Sequence, residues 1–215
     1  MGIKVVVSFS GGKDSMLSLH KAISLGYEPI AIMTTVNKNK GESWFHDISI
    51  ELLKQVSLST SIPLLIVECE GDNYEETFEN ALRSMKTLGA EACIFGDIDI
   101  EHHRKWGEDR CKNTELNSIF PLWQKNREDL VKEFINLGYK AIIKKVNLNN
   151  LSSEFLGQTL NYDLIEKIKS TGSDVCGENG EYHTFVYNGP IFSKEISFKN
   201  TNKIINENTL VLELL

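Results

Sequence analysis

The sequence alternates short, almost entirely apolar runs with segments of helical periodicity, and this alternation is the feature that most constrains the fold. Four runs are predicted to be strands: Ile3–Ser8, Pro29–Thr35, Leu64–Glu68 and Ala92–Gly96. Strands that are apolar on both faces are typical of a parallel sheet covered by helices on both sides. The first two thirds of the chain therefore predict a series of βαβ units.

Helices are predicted between these strands over Lys13–Leu25, Asp47–Ser59 and Tyr74–Leu88. Gly26 and Gly89 follow two of them, and a glycine at that position favours the left-handed cap that ends a helix. The fold class predicted for this part is α/β, with a doubly wound, mainly parallel, Rossmann-like sheet.

The pattern changes after Pro121, which indicates a second unit. The predicted elements are a helix over Arg127–Leu137, a strand over Lys140–Val146, helices across Glu154–Lys169 and a strand-rich tail over Thr184–Leu215. We place a domain boundary near residue 124. Residues 1–124 would form the core domain, and residues 125–215 a smaller α+β domain for the second substrate.

Composition excludes several classes of protein. The net charge of −7, with 23 Lys and Arg residues among 215, is unfavourable for gripping a nucleic-acid backbone, so no stable nucleic-acid binding is expected. No apolar run is long enough to span a membrane, and the N-terminus lacks a basic region and a cleavage site. The four cysteines form no CxxC pair. These features predict a cytoplasmic protein.

Chemistry is carried by the segment Ser10-Gly11-Gly12-Lys13-Asp14-Ser15, which joins the first strand directly to a helix. Glycines let the backbone approach an anion closely, and the N–H groups of a helix N-terminus attract negative charge. Ser10 and Ser15 can donate hydroxyl hydrogen bonds, Lys13 supplies a positive charge, and Asp14 can hold Mg²⁺. The alternative is a plain Gly-Gly turn with a capping aspartate.

This SGGxDS pattern differs from the Walker A loop and resembles the PP-loop ATP pyrophosphatases. The resemblance implies an adenine nucleotide alpha hydrolase-like fold that uses ATP with Mg²⁺. Ligands of such sheets bind at the carboxyl ends of the strands. We therefore expect Met33 and Thr34 near the adenine and ribose, and Gly96 and Asp97 beside the phosphates. Asp97 or Asp99 can instead serve as a helix N-cap.

Two later blocks narrow the resemblance. One contains Gly96-Asp97-Ile98, Arg104, Glu108 and Cys111 before Pro121-Leu122-Trp123; the other is the segment from Gly177 to Phe185, continuing to Phe192. With the first loop they resemble the diphthine–ammonia ligase family of PP-loop enzymes. Asn179 and His183 depart from that family's late block. Bacterial-type members resembling this variant make no diphthamide, which leaves the acceptor open.

The family resemblance implies an ATP-dependent ligase. It adenylates a carboxylate, releases pyrophosphate and amidates the carboxylate with ammonia, with diphthine on elongation factor 2 as the family's acceptor. The residues expected to act in catalysis are Lys13, Asp14, Arg104 and Glu181. Those expected to contact the second substrate are Arg104, Glu178, Gly180, Glu181, Tyr182 and His183.

Structural alternatives stand beside these roles. Arg104 is also spaced to pair with Glu108 on a helix surface. Glu178 and Glu181 can decorate a solvated loop, and Tyr182 can serve packing. His46 can reach the nucleotide or belong to an aromatic cluster at a helix start.

Two other functions compete with the ligase. One is tRNA thiolation, against which the acidic balance and the missing CxxC pair weigh; the other is a nucleotide sensor without turnover. No glutaminase domain fits beside the core, so ammonia must be free or delivered by a partner. A homodimer is left open.

Overall fold

The structure, a computed structural model, describes residues 2–215 and contains two β-sheets. The strands of the first sheet are β1 (Lys4–Ser8), β2 (Glu28–Asn37), β3 (Glu42–Ser43), β4 (Leu64–Cys69), β5 (Ala92–Ile94) and β6 (Asn117–Ile119). Its helices are α1 (Lys13–Ser24), α2 (Ile50–Thr60), α3 (Tyr74–Thr87) and α4 (Glu101–Asn113).

The parallel strands of this sheet lie in the order β4-β2-β1-β5-β6, and the short β3 pairs antiparallel with the end of β2. Strands β2 and β4 lie on one side of β1, and the chain then crosses to the other side of β1, where β5 and β6 lie. A crevice forms at this reversal, outside the carboxyl ends of β1 and β5. The predicted doubly wound α/β fold is confirmed.

The second sheet is antiparallel, with the order β8-β7-β10-β9. Its elements are α5 (Arg127–Asn136), β7 (Lys140–Asn147), α6 (Tyr162–Ser170), β8 (Tyr182–Asn188), β9 (Asn200–Asn206) and β10 (Thr209–Leu214). Of the helices expected across Glu154–Lys169, only α6 and a 3₁₀ turn at Ser153–Phe155 form. The tail folds as three strands, as the residue pattern predicts.

One continuous apolar core joins the two sheets. It runs from Val5 and Leu53 in the first part to Phe134 and Phe185 in the second, all of them fully buried. A second cluster lies under α3 and α4 on the opposite face of the parallel sheet. The boundary near residue 124 stays a prediction, since packing across it is continuous.

The sequence pattern missed the short strands β3 and β6 and gave no range for α4. The sequence of α4 is strongly polar, and only Gly107 and Cys111 are buried in it, so it shows little apolar periodicity. β6 has three residues. The predicted start of α2 at Asp47 is wrong, because Ser49 is the N-cap, accepting a hydrogen bond from the Leu52 N–H, whereas Asp47 adopts a φ of 53°.

The four cysteines are free and buried. Among residues 2–215, no helix combines the length and apolar character needed to cross a bilayer.

Two leucines of α2 provide a matched test of this packing. Leu53 is fully buried and Leu58 is 73% exposed. We expect Leu53→Ala to lower the free energy of unfolding by about 2–5 kcal/mol, because it leaves a cavity in the shared core. Leu58→Ala should change it by less than about 0.5 kcal/mol. Urea denaturation measures both, and equal losses would contradict the assigned core face of α2.

Candidate active site

A cavity of about 750 Å³ opens at the carboxyl ends of the parallel strands. It lies at the reversal of strand order, and its far wall comes from the segment that leads into β8. The residues predicted from sequence that line it are Ser10, Lys13, Asp14, Ser15, Thr34, Gly96, Asp97, Glu178, Gly180, Tyr182 and His183. The cavity therefore brings together the first loop and the late block.

The glycine turn after β1 leaves no room for side chains. Gly11 has a φ of +85°, and a Cβ there would lie 2.6 Å from the Ile48 Cδ1. At Gly12 a Cβ would lie 2.6 Å from the His46 Cε1. At Gly96 it would meet the Ser15 backbone nitrogen at 3.0 Å. Three stretches of chain thus approach one point closely.

The turn is fastened to the antiparallel sheet by two hydrogen bonds. The Lys13 N–H donates to the Thr184 Oγ1 at 3.0 Å, and the Val186 N–H donates to the Gly11 carbonyl at 2.9 Å. Helix α1 begins at Lys13 without a side-chain cap. The next N–H groups of its first turn have no intrahelical acceptor, which makes this helix end suited to bind an anion.

Lys13 is the charged side chain closest to this helix end, and it is 5% exposed. Its Nζ lies 2.6 Å from the Asp14 Oδ2 and 5.7 Å from the centre of the Tyr182 ring. Burial alone would lower the pKa of the ammonium, but the groups that face it, Asp14 first and then Cys176, Tyr182 and Glu178, together raise it well above its ordinary value. Lys13 therefore stays positively charged.

Tyr182 is buried, and its hydroxyl donates to the Val175 carbonyl at 2.6 Å. The packing role considered from sequence is present and the residue also lines the cavity, whereas its contact with the second substrate stays a prediction.

Two carboxylates and a thiol converge beside Lys13. Ligand atoms of Asp14, Cys176 and Glu178 lie within 4.8 Å of one another. Burial, and next the negative charge of Asp14, raise the pKa of Glu178 to about 7. A divalent cation here would relieve the repulsion between the two carboxylates, and their oxygens are the ligand type that Mg²⁺ takes together with phosphate oxygens. The donor set thus fits the magnesium ion predicted at Asp14.

Glu181 has a different place from the one expected. It does not line the cavity: it is 3% exposed and accepts hydrogen bonds from the Asp174 N–H at 3.2 Å and the Asn179 N–H at 3.0 Å. The Asn179 Nδ2 donates to it as well, at 3.2 Å. Glu181 thus fixes the turn that carries Glu178, and a direct catalytic role for it stays a prediction.

Arg104 also lies outside the cavity lining. Its Nε donates to the Glu108 Oε1 at 2.7 Å, and its guanidinium lies 4.9 Å from the centre of the Trp123 ring. This is the helix-surface pair that the spacing in the sequence allows. A role for Arg104 toward substrate stays a prediction.

Of the residues predicted at the ends of β2 and β5, some line the cavity and others do not. The Met33 side chain is buried in the core, and its carbonyl accepts from the Phe9 N–H at 2.8 Å. Thr34 lines the cavity with its hydroxyl bonded to the Phe9 carbonyl at 2.6 Å. Asp97 lines the cavity and does not cap α4, whose N-cap position is Ile100.

Sequence reasoning missed the ion-pair network behind the late turn. Arg127 donates to both carboxylate oxygens of Asp99 at 2.7 Å and to the Asp174 Oδ2 at 2.6 Å. Asp174 in turn accepts from the N–H groups of Cys176 and Glu178. Arg127 therefore ties the loop after β5 to the turn carrying Glu178. The sequence offered one hint of this role: arginine is rare in the chain, with four residues, and Arg127 is one of them.

A second group outside the predicted set is an aromatic wall on the β2 side of the cavity. Its members are Trp44, Phe45, Tyr74 and Trp106. His46, for which the sequence left two interpretations open, lines the cavity next to His183, with their ring centres 4.7 Å apart.

A glycine turn that enters a helix N-terminus at the strand-order reversal of a parallel sheet defines a Rossmann-like nucleotide-binding protein. Comparison with known protein families shows to which family within this class the chain belongs. The Diphthamide synthase N-terminal domain matches residues 3–118, and the Diphthamide synthase C-terminal domain matches residues 126–213. The chain belongs to the diphthamide synthase family, which confirms the resemblance drawn from the three motif blocks.

The curated relatives that match this chain are named diphthine–ammonia ligases. The diphthine–ammonia ligase of Homo sapiens is 28% identical, over 95% of this chain and 86% of its own length. That of Schizosaccharomyces pombe is 28% identical over 90% of this chain and 36% of its own length. Among solved structures, a "predicted subunit of tRNA methyltransferase" from Methanocaldococcus jannaschii covers 90% of this chain and 100% of its own, with a TM-score of 0.47 and 16% identity.

The raised pKa of Glu178 predicts a pH dependence of stability. Between pH 4.5 and about 7 the folded protein holds a proton that the unfolded chain has lost, so stability falls as pH rises through this window. Gln cannot ionise, so the free energy of unfolding of Glu178→Gln should exceed that of the parent by about 1–3 kcal/mol at pH 8. This difference should vanish near pH 4.5. Thermal unfolding between pH 4 and pH 8, without divalent cations, measures this.

Glu51→Gln is the control, since the Glu51 side chain is 77% exposed. Parallel stability curves for the parent and Glu178→Gln would show that Glu178 ionises normally in the folded protein.

Proposed function

We propose that the protein is an ATP-dependent amide ligase that adenylates a carboxylate, releases pyrophosphate and transfers the acyl group to ammonia. The observation that carries the proposal is the convergence of the glycine turn, the α1 N-terminus and Lys13 on one cavity at the strand-order reversal. Membership of the diphthamide synthase family supports it.

The cavity has the features that a nucleotide requires. Its phosphate end is the α1 N-terminus, where Gly12 and Gly96 exclude side chains and leave backbone N–H groups accessible. Away from this end the wall becomes apolar, with Trp44 and Tyr74 lining it next to Thr34. A polar end and an aromatic wall match the phosphate chain and the base of ATP.

Asp14 and Glu178 are the residues that would hold Mg²⁺ together with phosphate oxygens. When bound, the ion neutralises negative charge on the phosphate chain. Cys176 is the softest of the three groups and suits this hard cation least. Its buried thiol, 3.8 Å from the Asp14 Oδ1, is better described as packing against the site.

In the first step an oxygen of the acceptor carboxylate attacks the α-phosphorus, and the bond from that phosphorus to the bridging oxygen of pyrophosphate breaks. Negative charge grows on the departing pyrophosphate. The N–H groups of the first turn of α1 that follow Lys13, and the Lys13 ammonium, are positioned to stabilise that charge without moving.

In the second step ammonia attacks the acyl carbon, and the carbon–oxygen bond to AMP breaks. AMP leaves with the bonding electron pair, the amide forms, and one proton is released from nitrogen. The late block supplies the wall of the cavity opposite the glycine turn, and we expect the acceptor and ammonia to enter along that wall.

For the acceptor we propose diphthine on elongation factor 2, because the curated relatives are named diphthine–ammonia ligases and align over nearly the whole chain. Ammonia is taken free or from a partner. Cytoplasmic location and a homodimer stay predictions.

Product analysis of ATP turnover tests the proposal. The assay contains Mg²⁺, ammonium and elongation factor 2 purified from a Saccharomyces cerevisiae strain that lacks its own diphthine–ammonia ligase. We expect AMP and pyrophosphate in equal amounts, only when both acceptor and ammonium are present. ADP and phosphate would refute the adenylation chemistry. ATP binding without turnover would favour the sensor, and turnover that requires tRNA would favour thiolation.

Lys13→Ala should lower the rate of AMP formation about 10²-fold or more, as when one preorganised donor to a transition-state anion is lost. Lys54→Ala is the matched control, because the Lys54 side chain is 53% exposed on the outer face of α2. Full activity in a folded Lys13→Ala protein would remove Lys13 from the mechanism. Circular dichroism confirms folding of both variants.

A further inference from the structure

Two imidazole side chains lie beside the glycine turn, and the mechanism above leaves them unused. His46 comes from the loop between β3 and α2, and His183 lies near the start of β8. Their ring centres are 4.7 Å apart, with the ring planes at 62°, and both rings line the cavity.

His46 belongs to the wall of the anion site itself. Its Cε1 is the atom that a Cβ at Gly12 would meet, at 2.6 Å. Its Nδ1 lies 3.3 Å from the carbonyl of Thr184, the residue whose hydroxyl accepts the Lys13 N–H. With Nδ1–H donating to that carbonyl, the Nε2 of a neutral His46 carries a free lone pair.

The loop that carries His46 is held in place by the antiparallel sheet. Asp47 adopts a φ of 53°, its carbonyl accepts from the Lys144 Nζ at 2.5 Å, and its carboxylate pairs with the Lys145 Nζ at 2.9 Å. Two lysines of β7 thus fix a residue in the left-handed region, where backbone strain has to be offset by such contacts. The position of the imidazole is therefore built into the fold.

The groups facing the pair keep both rings uncharged in the free protein. Burial, and next Lys145 and Lys13, lower the pKa of His183 to about 4, against a smaller opposing effect of Asp47. Burial, and next the neighbouring His183, lower the pKa of His46 well below its ordinary value; Lys13 and Lys145 act in the same direction, and the Thr184 carbonyl opposes them.

The surrounding cations are already compensated. Lys13 pairs with Asp14 at 2.6 Å, and Lys145 pairs with Asp47 at 2.9 Å. A phosphate chain entering this site brings several negative charges that these pairs cannot fully balance. An adjacent anion raises the pKa of an imidazole, and an imidazolium donates strong, charge-assisted hydrogen bonds to phosphate oxygens.

We propose that His46 and His183 form a proton-coupled phosphate clamp: the pair is neutral in the free protein, takes up one proton from solvent as the phosphate chain binds, and donates to phosphate oxygens. Two imidazolium rings in contact repel, so the pair holds one added proton and not two. The proton leaves with pyrophosphate. This inference rests on the proposed use of ATP and adds two phosphate-binding residues to it.

The experiment is a pH titration of the histidine rings by NMR, without and with α,β-methylene-ATP and Mg²⁺. The analogue cannot be cleaved between its α and β phosphorus atoms, so the readout is independent of turnover. The chain has five histidines, which makes assignment by single substitutions practical. We expect one ring of the pair to titrate near pH 4 or below in the free protein and at about 6.5 or above in the complex.

Variants test the same linkage through affinity. His46→Asn keeps a donor to the Thr184 carbonyl and removes the second ring nitrogen. His183→Asn replaces the other imidazole with a shorter amide side chain. We expect the parent to bind the analogue at least about 4-fold more tightly at pH 6 than at pH 8, and both variants to lose this pH dependence. His20→Gln is the control, because His20 bonds the Tyr139 hydroxyl outside the cavity at 3.0 Å.

The outcomes separate the two claims. Failure of the parent to bind the analogue at any pH would overturn the proposed use of ATP. Binding that leaves the titration of both rings unchanged would overturn the clamp and leave the ligase proposal intact. The NMR titration needs only the parent protein, so a variant that fails to fold does not remove the test.

Discussion

The main-chain attachment of the glycine turn to β8 is the interaction on which the site depends. Gly11 and Lys13 bond the backbone and side chain of the antiparallel sheet, so the α1 N-terminus is held against the segment that supplies Glu178, Tyr182 and His183. Without this contact the first sheet would still present an anion-binding helix end, but it would lack the acidic and imidazole groups around it. The second sheet therefore forms part of the cavity wall together with the glycine turn.

The cations in and behind the cavity wall have carboxylate partners. Lys13 faces Asp14, Lys145 faces Asp47, and Arg127 faces Asp99 and Asp174. Each pair is partly shielded from water, where opposite charges interact more strongly than at the surface. The lining itself is acidic, because Glu75, Asp97 and Glu178 face the cavity in addition to the Lys13–Asp14 pair. The ligand's phosphates must then compete for cations that already have partners, which is why additional donors matter there.

Much of the architecture was predictable because it is encoded locally. Apolar runs predicted β1, β2, β4 and β5, and every predicted end lies within two residues of the observed one. The glycine turn predicted the anion site. The roles of individual residues were less accessible. Arg104 and Glu181 stand in motif blocks, but Arg104 has an intrahelical partner at i+4 and Glu181 is enclosed by the turn that it organises. His46 and Arg127 act through contacts with residues far along the chain, which no local pattern reports. The polar α4 lacked the periodicity that reveals a helix.

The hydrogen bond from Lys13 to Thr184 joins residues 171 positions apart. Closing so long a loop costs chain entropy, which the packing of the shared core offsets. The glycine turn is synthesised before the residues that complete the cavity. A nascent chain in which only the first sheet has formed exposes an anion-binding helix end without Glu178 or His183 beside it, and the cavity is complete only once β8 is bonded to the turn.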